Sequence, residues 1–282
     1  MNSYLDLDEA IDRWFLEDIG DGDHTTFSII PPEVTGSAQL IVKKSGILAG
    51  VKIAEQIFRR FDKDLELTLL IEDGKVIVPD DVVFRVSGDV HSILQCERLV
   101  LNVMQRMSGI ATNTHSYVKL VEGTGTRILD TRKTTPGVRL LEKEAVRVGG
   151  GVNHRFGLHD MILIKDNHID FSGGIEQAIK RTQAYLSQKQ MKLDIVVETR
   201  SLEDIEKVLT MGGIHRILLD NFSIELTRQA VKLINNQVEI ESSGRITKET
   251  IRSYAECGVD YISVGALTHQ IESLDLSLKA DF

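Results

Sequence analysis

From Thr126 onward the chain repeats one arrangement, a short apolar run, a polar break, then an amphipathic stretch. The apolar runs are "RILD", "MILIKD", "DIVVET", "RILLDN", "VEIESS" and "YISVGA", and amphipathic segments lie at 137–148, 173–187, 202–211, 223–235 and 247–257. Strand alternating with helix predicts parallel strands joined by crossovers, and runs this apolar predict strands buried on both faces. Before residue 107 the pattern differs. An amphipathic opening segment around 5–18 precedes the alternating runs "SAQLIVKK", "LELTLLIEDG", "KVIVPDD" and "VVFRVSGDV". These predict a twisted, mostly antiparallel sheet with turns at Gly74 and Gly88. Helices are expected at "VKIAEQIFRRF" and from Ser92 through Val121, where Leu94, Leu101, Met104 and Ile110 make a helical stripe. The first half therefore reads as an α+β domain feeding a connecting helix.

Six strands allow a barrel or a doubly wound sheet. The residues just past each strand favour the barrel: Asp130–Lys133, Lys165–Asp166, Glu198–Arg200, Asp220–Asn221, Ser242–Gly244 and Gly265–Ala266. A parallel barrel gathers all such positions around one mouth, whereas a doubly wound sheet uses mainly the crevice at its switch point. Within "LDTRKTTPG", the adjacent charges of Arg132 and Lys133 then belong to a polar ring rather than to an isolated loop.

Charge sharpens this picture. The 282-residue chain carries a net charge of -9, which argues against a nucleic-acid surface. Between Thr131 and Lys165, however, seven cations stand against three anions, and His154 and His159 add two ionisable groups. A local cationic site in an acidic protein points to a small anion, and arginine suits carboxylate or phosphate because its planar fork donates two parallel hydrogen bonds. Lys143 and Arg147 also read as solvated helix residues beside Glu142 and Glu144; the strand-end residues Arg132, Lys133 and Lys165 do so far less readily. Glu198 and Asp220 supply two carboxylates that could hold a divalent metal, bind sugar hydroxyls or stabilise a developing cation. Taken singly, each is more often structural. "SSG" and "VGA" offer small residues whose backbone N–H groups could form a phosphate nest after the last strands.

Composition excludes several classes. The 42% hydrophobic and 27% charged content is that of a globular chain with a full core. No apolar run approaches the roughly 20 residues that span a bilayer, and "MNSYLDLDEAIDRW" is too acidic for a signal peptide. Cys96 and Cys257 form no C-x-x-C pair, so they predict neither zinc nor a disulfide but small buried residues in a reducing cytoplasm. Gly149–Gly151 follows a helix and lacks a Walker pattern. Asn167 and His168 read as a hydrogen-bonded structural pair.

The motifs "EDIGDGDHTT", "ERLVLNVMQRMSGIAT", "ILDTRKTTPG", "GGGVNHRFGLHDMILIKDNHI", "LLDN" and "DYISVGALTH" resemble the quinolinate phosphoribosyltransferase family, over nearly the whole chain. The resemblance implies a type II phosphoribosyltransferase fold: an N-terminal α+β sandwich domain (1–110), an incomplete TIM-like α/β barrel (111–267) and a C-terminal segment (268–282) returning to the first domain. It implies transfer of phosphoribosyl from phosphoribosyl pyrophosphate to quinolinate with decarboxylation, with magnesium (Mg2+), in a cytoplasmic homodimer or assembly of dimers. Quinolinate would meet Arg132, His154, Arg155 and Lys165, with Arg98 reaching in from the neighbouring subunit. Lys133 would contact phosphoribosyl pyrophosphate and Thr131 would bind substrate, with Glu198 and Asp220 near the ribose and, directly or through substrate, the metal. The 5′-phosphate would lie against Ser243, Gly244, Gly265 and Ala266, with Arg245 and Val264 among the substrate-binding candidates. Lys133, Lys165, Glu198 and Asp220 are the catalytic candidates.

One departure stands out. The family usually reads Ser-Gly-Gly-Ile where this chain reads Ser243–Gly244–Arg245–Ile246. A positive φ at the second glycine would give Arg245 a steric cost; phosphate binding is assigned to the backbone of Ser243 and Gly244, the alternative being an added phosphate contact from the Arg245 guanidinium. Three rival readings remain compatible with parts of this pattern: a paralogue of the same fold associated with molybdate transport, a Schiff-base lyase using Lys165, and a non-catalytic phosphoribosyl pyrophosphate sensor. The full set Arg98, Arg132, His154, Arg155 and Lys165, together with both acids, disfavours them.

Overall fold

The computed structural model describes residues 6–281. The chain forms two compact units: the residues up to His115 with Thr135–Gly150 and those from Gln270 on, and Ser116–Thr134 with Gly151–His269.

The first unit is built from α1 (Leu7–Ile19), α2 (His24–Ile29), β1 (Thr35–Val42), β2 (Gly46–Ile47), α3 (Val51–Phe61), β3 (Glu66–Leu69), β4 (Val76–Ile77), β5 (Val82–Asp89) and the 31-residue α4 (Val90–Leu120), which runs on into the second unit. Asp6 caps α1 by accepting the Asp8 N–H at 3.0 Å, with acidic Asp8 and Glu9 in the first turn. The face Val51, Ala54, Ile57 and Phe58 of α3 is buried, and the Phe58 ring meets Phe84 of β5 edge-on at 5.8 Å. β1 lies between β5 and β12 (Leu276–Ala280), both antiparallel to it. Gly109 of α4 allows the chain before β12 to pass, because a Cβ there would stand 2.3 Å from the Glu272 carbonyl oxygen.

Two sequence expectations differ from this. Gly88 is not a turn: it is the penultimate residue of β5, paired with Gly36, and α4 begins directly after Asp89. The helix expected at 137–148 forms as α5 (Arg139–Val148) but clusters with the first unit, not with the barrel. Its buried Glu142 accepts from Arg106 Nε of α4 at 3.0 Å and from the Thr135 N–H at 3.1 Å. That bond spans 36 residues, so no local pattern announces it.

The second unit contains β6 (Arg127–Leu129), β7 (Ile162–Ile164), α6 (Asp166–Ser172), α7 (Ile175–Lys189), β8 (Ile195–Thr199), α8 (Leu202–Met211), β9 (Arg216–Asp220), α9 (Ile224–Ile234), β10 (Glu239–Ser243), α10 (Ile251–Ala255), β11 (Tyr261–Ser263) and α11 (Ala266–His269). The strands pair in parallel in the order β6-β11-β10-β9-β8-β7. This is a ring order opened between β6 and β7, so the barrel is incomplete. Val152 partly covers the open edge of β6: its N–H donates to the Ile128 carbonyl at 2.8 Å, and its carbonyl accepts the Asp130 N–H at 3.1 Å.

Parallel partners share a face of the sheet. Glu198, Leu218, Glu241, Tyr261 and Arg127 are successive partners from β8 to β6 and so share one face. The alternate row, Val197, Ile217 and Ile240, carries the buried apolar face. The runs that look continuously apolar thus hide a period of two, with polar residues on the inner face. Among the described residues no helix is long and apolar enough to cross a membrane.

Candidate active site

A cavity of about 670 Å³ lies at the carboxyl ends of the strands. It brings together Thr131, Arg132 and Lys133 after β6, His154 and Arg155 after Val152, Lys165 after β7, Glu198 of β8, Asp220 of β9, Ser243, Gly244 and Arg245 at the end of β10, and Val264, Gly265 and Ala266 after β11. Arg98 is not among the lining residues; it is exposed on α4 in the first unit. Of the cations counted between residues 131 and 165, Arg139, Lys143 and Arg147 belong to α5 and do not line it. Lys143 is buried, and Arg147 pairs with Glu144.

Arg155 is only 7% exposed. Its Nη1 donates to the Met161 carbonyl at 3.1 Å. Burial, and then the charge of Arg132, pull its guanidinium below its ordinary value, while Asp160 acts the other way. The loop that carries it is pinned by the Asp160 carboxylate, which accepts the Phe156 and Gly157 N–H groups at 2.6 and 2.9 Å. Burial opposes the Asp160 charge, but these bonds outweigh it and hold the carboxyl below its usual range. Arg132 and Lys133 are exposed. The Thr131 hydroxyl accepts the Lys133 N–H at 3.0 Å, and Thr268 donates to the Lys133 carbonyl at 2.8 Å, so a short turn fixes the backbone beneath both cations.

His154 sits deeper. Its Nδ1 accepts the Arg155 N–H at 2.7 Å, which leaves Nε2 as the proton-bearing nitrogen, 3.3 Å from the Glu241 carboxylate. Its backbone N–H donates to Asp130, which is fully buried and also holds Asn153. Glu241 in turn accepts from Arg216 at 3.1 Å. Burial would raise the Glu241 carboxyl, but His154, and then Arg216, hold it below its ordinary range.

Glu198 shows the reverse. Burial, and then the Asp220 charge, raise its carboxyl above the ordinary value, against Lys165. Its partner is the Asp166 N–H at 3.4 Å. Asp220 accepts from the Asn221 side chain at 2.8 Å. Among the described residues no group of three His, Cys, Asp or Glu side chains could hold a metal. His168 accepts the Lys165 N–H at 3.0 Å, in line with a structural role.

The loop after β10 is tightly constrained. Asn221 donates its N–H to the Ser243 carbonyl at 2.9 Å. Gly244 has φ 95°, and a Cβ there would stand 2.4 Å from Asn221 Oδ1, so only glycine fits. Sequence reading missed Glu241, Ser263 and His269, all of which line the cavity. His269 was detectable as the last residue of "DYISVGALTH".

Comparison with known proteins agrees with this geometry. The family model of the quinolinate phosphoribosyl transferase N-terminal domain matches residues 23–108, and that of the C-terminal domain matches residues 110–279. The chloroplastic nicotinate-nucleotide pyrophosphorylase [carboxylating] of Arabidopsis thaliana is 43% identical over 98% of this chain and 83% of its own. The probable carboxylating enzyme of Bacillus subtilis is 40% identical over 98% and 94%. The crystal structure of NadC from Streptococcus pyogenes superimposes with a TM-score of 0.92 at 38% identity, covering 99% and 98% of the two chains. Both of its domains are matched and relatives align along almost its full length, so the chain belongs to the quinolinate phosphoribosyltransferase family.

Proposed function

We propose that this chain transfers phosphoribosyl from phosphoribosyl pyrophosphate to quinolinate and decarboxylates the adduct, giving nicotinate mononucleotide, pyrophosphate and carbon dioxide. The observation that carries this reading is the gathering of the buried Arg155 with Arg132 and Lys165 on one cavity, where burial and then the Arg132 charge weaken the Arg155 cation. A small dianion relieves that repulsion. At an effective dielectric near 20, one charge pair at about 4 Å contributes on the order of 4 kcal/mol, and several such pairs offset the desolvation of a dicarboxylate.

Arg132, Arg155 and Lys165 orient the two carboxylates of quinolinate, with His154 fixing the Arg155 backbone. Lys133 and Thr131 hold phosphoribosyl pyrophosphate. Pyrophosphate departs from C1 of the ribose, and Glu198 and Asp220 stabilise the positive charge that develops there as the pyridine nitrogen attacks. The pyridinium then stabilises the electron pair left on its C2 carbon as the adjacent C–C bond breaks and carbon dioxide leaves, and that carbon takes up a proton from water to give nicotinate mononucleotide.

Glu198 and Asp220 fit magnesium as a substrate-borne ion: two carboxylates without a third ligand suit a hard cation that takes one or two carboxylates together with phosphate oxygens. Magnesium, when bound, offsets charge on the pyrophosphate. The test is incubation with quinolinate, phosphoribosyl pyrophosphate and magnesium, reading carbon dioxide and nicotinate mononucleotide. Nicotinate in place of quinolinate yields no product; equal turnover of both would overturn the reading.

We further infer a homodimer in which Arg98 completes the partner's site. Mixing Arg98→Ala with Arg132→Ala protein then restores activity that neither variant has alone, and failure to do so would refute the shared site. A cytoplasmic location is the setting expected from the Bacillus subtilis relative; the Arabidopsis thaliana relative is named chloroplastic.

A further inference from the structure

Arg245 occupies a backbone conformation that disfavours its own side chain. Its φ is 52°, directly after Gly244 at 95°, so two consecutive residues at the exit of β10 have positive φ. Glycine would sit at residue 245 without the crowding that a Cβ meets in left-handed backbone. A merely solvated arginine gains nothing there.

Two further observations point to a ligand. Arg245 lines the cavity with Ser243, Gly244, Gly265 and Ala266. Among the described residues its guanidinium has no hydrogen-bond or ion-pair partner, whereas Arg106, Arg147, Arg200 and Arg252 each hold a carboxylate. An uncompensated planar fork of donors beside small residues and a run of positive-φ backbone matches a compact oxyanion with several acceptor oxygens.

We propose that the Arg245 side chain binds the phosphomonoester on C5 of the ribose and strengthens its hold in this chain, in addition to the backbone groups of Ser243 and Gly244. This rests on the phosphoribosyl reading above. It makes the left-handed arginine a trade: the loop is less stable without ligand, and the bound phosphate gains a charge-assisted contact.

The test separates that contact from the rest of the substrate. Nicotinate mononucleotide, nicotinate riboside and inorganic pyrophosphate are titrated by calorimetry into wild type, Arg245→Gly and Arg245→Asn; both replacements tolerate positive φ. Affinity for the mononucleotide is expected to fall about tenfold in both variants, a size typical of losing one charge-assisted bond, with riboside and pyrophosphate affinities unchanged. The Tm of ligand-free Arg245→Gly is expected to equal or exceed that of wild type. An unchanged mononucleotide-to-riboside ratio, a loss that appears with pyrophosphate instead, or a lowered Tm overturns the Arg245 assignment while leaving the phosphoribosyl reading intact. Wild-type protein that binds neither nucleotide nor pyrophosphate overturns both.

Discussion

At the amino ends of the barrel strands, Arg127, Arg216, Glu239 and Tyr261, the first residues of β6, β9, β10 and β11, satisfy one another. Arg216 donates to Glu239 at 2.9 Å and to Glu241 at 3.1 Å, and its guanidinium lies 4.0 Å from the centre of the Tyr261 ring. The Tyr261 hydroxyl donates to Glu239 at 3.1 Å and accepts from Arg127. At the carboxyl ends the same residue types stand beside their like: burial and then Arg132 lower Arg155, and burial and then Asp220 raise Glu198. Opposite charges held together stabilise the barrel, while like charges held together keep a site ready for ligands that neutralise them. Residue type therefore does not separate structure from function here; the sign of the neighbour does.

The largest effect is expected where that distinction is broken at the amino end. Arg216→Ala takes the guanidinium away from Glu239 and the fully buried Glu241, leaving them the Tyr261 hydroxyl and His154, and losing one partner of a buried ion pair costs about 3–5 kcal/mol. Thermal unfolding checks it, and an Arg216→Ala protein that melts with wild type would show that the network is incidental. Arg132→Ala is the counterpart at the carboxyl end. Stability is expected to be unchanged or improved, because a repelling charge leaves Arg155, while kcat/KM for quinolinate falls about 100- to 1000-fold through loss of a bidentate contact. The fall belongs mainly in KM for quinolinate, with KM for phosphoribosyl pyrophosphate little changed. Gly244→Ala comes next. At φ 95° and 2.4 Å from Asn221, the added methyl forces the loop open at a cost of about 1–3 kcal/mol, read as a raised KM for phosphoribosyl pyrophosphate.

The two ends were not equally legible in the sequence. Arg132, Lys133, Lys165, Glu198 and Asp220 could be read because each stands where an apolar run stops, and a strand end is visible without knowing its neighbours. Arg216, Glu239 and Glu241 could not, since their meaning depends on which strands pair and in what register. Leu218 partners Glu198 on one side and Glu241 on the other, a relation spread over more than 40 residues of sequence. The same holds for α5, whose anchor Arg106 lies far upstream. Arg245 was half legible: the unusual residue could be seen, but its positive φ required the structure.

The subtlest test uses pH to compare two buried acids of one inner face. Glu198 is raised in the folded protein, chiefly by burial, relative to its ordinary 4.5. The folded state therefore binds that proton more tightly than the unfolded chain, so its contribution falls as pH rises from 4.5 through the folded value and stays unfavourable above it. Glu241 is lowered from the same 4.5, burial notwithstanding, by His154 and Arg216. Its contribution is present above 4.5 and is lost as pH falls through the folded value. Glu198→Gln is thus expected to raise stability at neutral pH and flatten the dependence above 4.5, leaving the acid-side transition in place. Glu241→Gln is expected to lower neutral-pH stability and weaken the acid-side transition. Denaturant unfolding of both variants from acid to neutral pH gives the two slopes. Slopes of the same sign would mean that burial with Asp220 on one side, and His154 with Arg216 on the other, do not set these two carboxyls apart, and the contrast between like and opposite neighbours would lose its electrostatic basis.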